Sequence, residues 1–70
     1  MRKVMAEVRG SVWEIVAQPG QQVNQGDVLL IVESMKMEIP VEAPASGTVE
    51  DIRVTKGDTI EDGEWIATLV

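Results

Sequence analysis

Gly47-Thr48-Val49-Glu50-Asp51-Ile52 restates Gly10-Ser11-Val12-Trp13-Glu14-Ile15, and the match continues well beyond these six residues. An offset of 37 residues carries Gly10, Val12, Ile15, Gly20 and Gly26 onto Gly47, Val49, Ile52, Gly57 and Gly63. Glu14 falls on Asp51, Val23 on Ile60 and Asp27 on Glu64, with no gap from Ala6/Ala43 to Val32/Leu69. The chain is thus one unit of about 30 residues written twice. Each copy reads as short β-branched strands, Ser11 to Val16 with Val28 to Val32, and Thr48 to Val54 with Trp65 to Leu69. Glycine-centred turn signals stand between them at Pro19-Gly20, Gln25-Gly26-Asp27, Lys56-Gly57-Asp58 and Asp62-Gly63-Glu64. No window carries a sustained helical period, so the expected fold is all-β. Duplicated short strands predict a sandwich or closed barrel with approximate two-fold symmetry, which also hides sheet edges.

A chain of 70 residues makes one domain, residues 1–70, with repeats at about 6–32 and 43–69 joined by a hairpin over 33–42. Cysteine and histidine are both absent, so disulfides, zinc-finger sites and Cys- or His-based catalysis are excluded. The fold must rest on apolar packing and backbone pairing. Twelve acidic residues against six basic give a formal charge of −6, which repels phosphate backbones and anionic lipid headgroups. Nucleic acid and membranes are therefore not expected partners. The N-terminus has no apolar stretch of the signal-peptide kind, and the expected location is cytoplasmic.

The segment joining the copies has no equivalent in the first copy. It runs Val28-Leu29-Leu30-Ile31-Val32-Glu33-Ser34-Met35-Lys36-Met37-Glu38-Ile39-Pro40-Val41-Glu42-Ala43. A two-residue turn at Met35-Lys36 pairs Ser34 with Met37, Glu33 with Glu38, Val32 with Ile39 and Leu30 with Val41. That register puts Val28, Leu30, Val32, Met37, Ile39, Val41 and Ala43 on one apolar face, and Glu33, Glu38 and Glu42 on the other. A slip of one residue would mix the two sets. Such turns favour Asn-Gly or Asp-Gly, because both central residues need positive φ. Met-Lys breaks that preference at about 1–2 kcal/mol per residue. Glu33 opposite Glu38 is a like-charge pair, unfavourable by a few tenths of a kcal/mol. Rules of this kind are broken where function is at stake. Lys36 would be a solvated amine displayed at the tip between rigid strands, reachable by an acylating enzyme that takes its proton. An ordinary exposed turn lysine is the competing reading of the residues alone.

Glu33-Ser34-Met35-Lys36-Met37-Glu38 resembles the attachment motif of biotinyl domains, in which a lysine between two methionines receives biotin. Gly26-Asp27-Val28-Leu29-Leu30, Ala43-Pro44-Ala45-Ser46-Gly47-Thr48-Val49 and Lys56-Gly57-Asp58-Thr59-Ile60 are similar to the flanks of that family, so the resemblance covers almost the whole chain. It implies a flattened barrel of two four-stranded antiparallel sheets with quasi-two-fold symmetry. It further implies a non-catalytic, monomeric carrier to which a biotin protein ligase attaches biotin as an amide on Lys36. The carrier would shuttle a carboxyl group between biotin carboxylase and carboxyltransferase subunits, and acylation would take the formal charge from −6 to −7. Ser34, Met35 and Met37 would serve the turn and ligase recognition, and Glu33 and Glu38 would help align the hairpin for the ligase. No catalytic or metal-binding residue is expected.

Ser34 stands where many family members have alanine, and the gapless offset leaves no room for the protruding thumb of some acetyl-CoA carboxylase carriers. Met1 leading directly into the domain favours a stand-alone biotin/lipoyl attachment protein over the end of a larger carboxylase subunit. Lipoyl domains share the fold, so lipoate on the same lysine, alone or alongside biotin, is an alternative. Met35 and Met37 speak for biotin. An unmodified barrel-sandwich scaffold is the alternative from another class. Met37 is expected to pack and Met35 to be exposed, while barrel packing is expected for Trp13 and Trp65.

Overall fold

A computed structural model describes residues 1–70. Eight strands form in chain order: β1 Arg2–Met5, β2 Gly10–Ile15, β3 Gln22–Val23, β4 Val28–Ser34, β5 Met37–Glu42, β6 Gly47–Ile52, β7 Thr59–Ile60 and β8 Trp65–Leu69. They make two four-stranded antiparallel sheets, ordered β1-β8-β6-β3 and β5-β4-β2-β7. The offset of 37 residues converts β2 into β6 and β3 into β7 residue for residue, and it carries one sheet order onto the other. The two copies exchange strands, because each copy's first long strand lies in the same sheet as the other copy's short one.

The core repeats in the same way. Ala6/Ala43, Val12/Val49, Ala17/Val54, Val23/Ile60, Leu29/Ile66, Leu30/Ala67 and Val32/Leu69 are buried pairs of equivalent residues. Val4, the remaining core residue, has half-buried Val41 as its counterpart. Such a core removes apolar surface from water at about 25 cal/mol per Å².

Four turns share one design. In Gln18–Gln21, Asn24–Asp27, Thr55–Asp58 and Glu61–Glu64 the last amide bonds the first carbonyl at 3.0 or 3.1 Å. The third residue is a glycine with φ near +90°, as a type II turn requires. The side chain of the last residue accepts from the first residue's N–H at 2.8–3.2 Å. One polar residue is buried in the core: Thr68, whose Oγ1 accepts from the Trp65 indole at 3.1 Å.

Two departures from strict alternation reshape the faces. In β4 the ladder skips from Val28↔Glu42 to Leu30↔Val41, leaving Leu29 as an extra residue that turns into the core beside Leu30. Ile66 is its equivalent in β8. In β2 the ladder skips from Val12↔Val32 to Glu14↔Ile31, and the extra residue, Trp13, is left 42% exposed. Its equivalent in β6 is Glu50, also exposed. These bulges correct two expectations: Val28 is only half-buried, and Trp13 is not a barrel-packing residue. Trp65 does pack, half-buried, with Lys3 Nζ 4.5 Å and Arg53 Cζ 3.8 Å from its ring centre.

Candidate functional site

The hairpin β4–β5 turns at Met35-Lys36, in the register expected from the sequence: Ser34↔Met37, Glu33↔Glu38, Val32↔Ile39 and Leu30↔Val41. Met35 has φ 53° and Lys36 has φ 65°, and they are the only non-glycine residues of the chain with positive φ. Adjacent left-handed residues define the type I′ turn, whose twist matches that of the flanking strands. Neither residue type favours this conformation, so the strands impose it at about 1–2 kcal/mol each. Val32 is fully buried below the tip. Ile39 and Val41 of β5 are half-buried, and β4 is paired on both sides.

Lys36 is exposed, and Met35 beside it is 93% exposed. Met37 is 64% exposed, so the expectation that it packs is corrected: one step from the tip, its side chain has left the part of the hairpin that the core covers. Two flexible thioethers therefore flank the amine in solvent. Ser34 is half-buried under the turn. Glu33 and Glu38 are exposed directly opposite one another, and no salt bridge engages either. The like-charge pair is thus retained without compensation.

No concavity surrounds the amine. The largest groove, of about 580 Å³, lies between the edges of β1 and β5 and is lined by Val4, Met5, Ile39, Val41 and Pro44, among others; none of residues 33–37 borders it. No salt bridge or side-chain hydrogen bond engages Lys36 at this tip. What it offers is an exposed primary amine on a turn whose backbone is held by the flanking strands. Residues around the tip could hold a covalent adduct only through Lys36, since the exposed methionines and glutamates form no cleft.

Proline keeps the hairpin from serving as a template for another strand. Ile31↔Pro40 and Glu33↔Glu38 alternate with Val32↔Ile39 along the ladder, and in a two-residue hairpin the former are the pairs without mutual hydrogen bonds. The backbone of Glu38, Pro40 and Glu42 thus points to the open edge, where Pro40 has no N–H to offer. Two glutamates flank that gap.

The model of a family described as "Biotin-requiring enzyme", a biotin/lipoyl attachment family, matches residues 3–69. The chain is 48% identical over 66 residues to the biotinylated protein TB7.3 homolog of Mycobacterium leprae, covering 94% of this chain and 93% of that one. It is 35% identical over 66 residues to the biotin/lipoyl attachment protein of Bacillus subtilis, covering 94% and 90%. Among solved structures, urea carboxylase of Kluyveromyces lactis superposes with a TM-score of 0.94 at 38% identity, over 99% of this chain but only 6% of that one. With a duplicated eight-stranded scaffold, an attachment hairpin in register and a match spanning all but the outermost residues, the chain belongs to the biotin/lipoyl attachment family.

Proposed function

We propose that this protein is a non-catalytic biotin carboxyl carrier, loaded on Lys36 by a biotin protein ligase in the cytoplasm. The observation that carries the reading is the conformation of the tip: two residues unsuited to positive φ hold it there and present the amine clear of every groove. Attached biotin supplies a ring that accepts and releases a carboxyl group, and biotin carboxylase and carboxyltransferase are the partners that would use it. The chain's own part is to position and to tether. Tethering raises the effective concentration of the carried group at each partner without new contacts. In loading, the ligase takes a proton from the Lys36 ammonium, and the amine attacks a carboxyl group that the ligase has activated. The C–N bond forms as the activating group departs, and a second proton leaves the nitrogen.

Lys36→Arg keeps the charge and the turn but removes the acylable amine. Co-expressed with a biotin protein ligase, the unaltered chain is expected to gain the mass of one biotinyl group, and Lys36→Arg none. A lipoyl adduct as the sole form would replace biotin by lipoate as the carried group; the name of the B. subtilis relative includes both. An unmodified chain would point to a scaffold.

Glu33 and Glu38 align the hairpin on the ligase through their shared, uncompensated charge. Glu33→Lys with Glu38→Lys should lower the biotinylation rate roughly tenfold, the scale of reversing close charge pairs at an interface. An unchanged rate rejects the alignment role.

A further inference from the structure

The internal duplication provides its own control. A feature that both copies share is owed to the fold, whereas one confined to the sheet whose hairpin carries Lys36 needs another cause. On the outer face of that sheet Glu38, Glu33 and Ser11 stand side by side across β5, β4 and β2. The next row on the same face is Pro40, Ile31 and Glu14, and Glu42 follows on β5. Glu14, Glu33, Glu38 and Glu42 are all exposed, and no salt bridge engages any of them. At the equivalent positions of the other sheet stand Asp51, Val70, Met1 and Met5, and Asp51 is paired with Arg53 at 3.6 Å. The uncompensated acidic face therefore belongs to one sheet alone.

Trp13 shows the same asymmetry more sharply. It is the extra residue of the β2 bulge, opposite Ile31 together with Glu14. Its exposure is 42% and no hydrogen bond within the chain uses its indole N–H, whereas that of Trp65 bonds Ala67 O at 3.0 Å and Thr68 Oγ1. The same bulge in the second copy is filled by Glu50, so the backbone has no need of an aromatic residue there. Exposed tryptophan is the residue type most enriched among those that dominate binding energy.

We infer that Trp13, which shares its sheet face with Glu14 beside it and with Glu33, Glu38 and Glu42 across β4 and β5, is the anchor of a docking surface for the enzyme that acylates Lys36. That enzyme would present an apolar slot for the indole, bordered by arginine or lysine side chains. The inference rests on the reading of Lys36 as the acceptor. The acylating enzyme is the fitting occupant because it must bring its active site to the Lys36 nitrogen itself. Trp13 lies about five residues along the sheet from the tip, about 17 Å at strand spacing. A standard interface of about 800 Å² per partner is about 30 Å across and covers both. Partners that meet the carried group reach it through the length of the arm and are under no such constraint. Four glutamates with no internal cation favour encounter with a basic surface.

The test uses a purified biotin protein ligase that biotinylates the unaltered chain, with ATP and biotin, and reads kcat/KM from initial rates. Trp13→Ala and Trp13→Glu are expected to lower kcat/KM roughly tenfold or more, chiefly through KM. Trp13→Glu copies the second copy's own bulge residue, so it preserves the fold; Trp65 fluorescence and thermal melting check this. Glu14→Gln with Glu42→Gln should weaken the salt dependence of kcat/KM, and Glu50→Ala should change nothing. Unchanged kcat/KM in the folded Trp13 variants overturns the inference. So does a Trp13 variant that loads normally but slows carboxyl transfer, since the surface would then serve a carboxylase partner. Failure of every ligase to load the unaltered chain would instead remove the acceptor reading on which the inference stands.

Discussion

A chain carrying Met35→Asn and Lys36→Gly is expected to be more stable than the natural one by about 1–3 kcal/mol and to accept no biotin at all. Met35 and Lys36 occupy left-handed backbone at φ 53° and 65°, which costs an ordinary side chain about 1–2 kcal/mol per residue. Asn-Gly is the pair most at home in this turn. Part of the gain is offset because glycine loses more freedom on folding, by about 0.5–1 kcal/mol. In a 70-residue chain each kcal/mol raises Tm by about 4–8 °C, so the shift is easily read. Denaturant titration should move the midpoint without changing the slope, and intact mass after co-expression with the ligase should show no adduct. A stability equal to or below that of the natural chain would mean the strands do not force the turn. The conflict between fold and task would then lie elsewhere.

Gly10→Ala should act in the opposite direction, destabilising by about 3 kcal/mol, while Gly47→Ala at the equivalent site should cost only about 1 kcal/mol. A Cβ on Gly10 would run into the Glu33 carbonyl oxygen and sit 2.8 Å from Val32 Cγ1. Both belong to β4, which is held by β2 on one side and β5 on the other. Nothing there can yield without disturbing the attachment hairpin, so the cost lies at the upper end of the overpacking range. A Cβ on Gly47 meets a single atom closely, the Val70 carbonyl oxygen at 2.8 Å, and nothing else nearer than 3.6 Å, so a smaller adjustment relieves it. Against a total stability of about 4–10 kcal/mol for this length, the first substitution removes a large share. Paired chemical denaturation curves of the two variants check the ranking, and equal losses would refute it.

The hairpin register was legible in the sequence because the apolar residues and glutamates of residues 28–43 sort onto two faces in one alignment only. The tip followed from it, as did the conflict at Met35-Lys36. The sandwich was legible because glycine spacing repeats, and each repeated glycine turn closes by the same hydrogen bonds. Bulges were not legible. Leu29, Ile66 and Trp13 owe their placement to the bending of strands that close a small barrel, a requirement of the whole sheet that leaves no mark on local alternation. Alternation therefore placed Met37 inward, although the core ends below it. The two-residue strands Gln22–Val23 and Thr59–Ile60 and the charged strand Arg2–Met5 were equally hidden. Each buries a single side chain, Val23, Ile60 or Val4, and exists only because a longer neighbour offers it a ladder.

The symmetry that turns β4 into β8 also makes the hairpin apex equivalent to the place where residues 1 and 70 lie, with Arg2 opposite Leu69 as Ile39 is opposite Val32. One architectural position is used twice, as a mast in one copy and as a mooring in the other. A host polypeptide could enter and leave through the mooring alone, leaving the mast clear. The same module can then be carried unchanged on chains of any size.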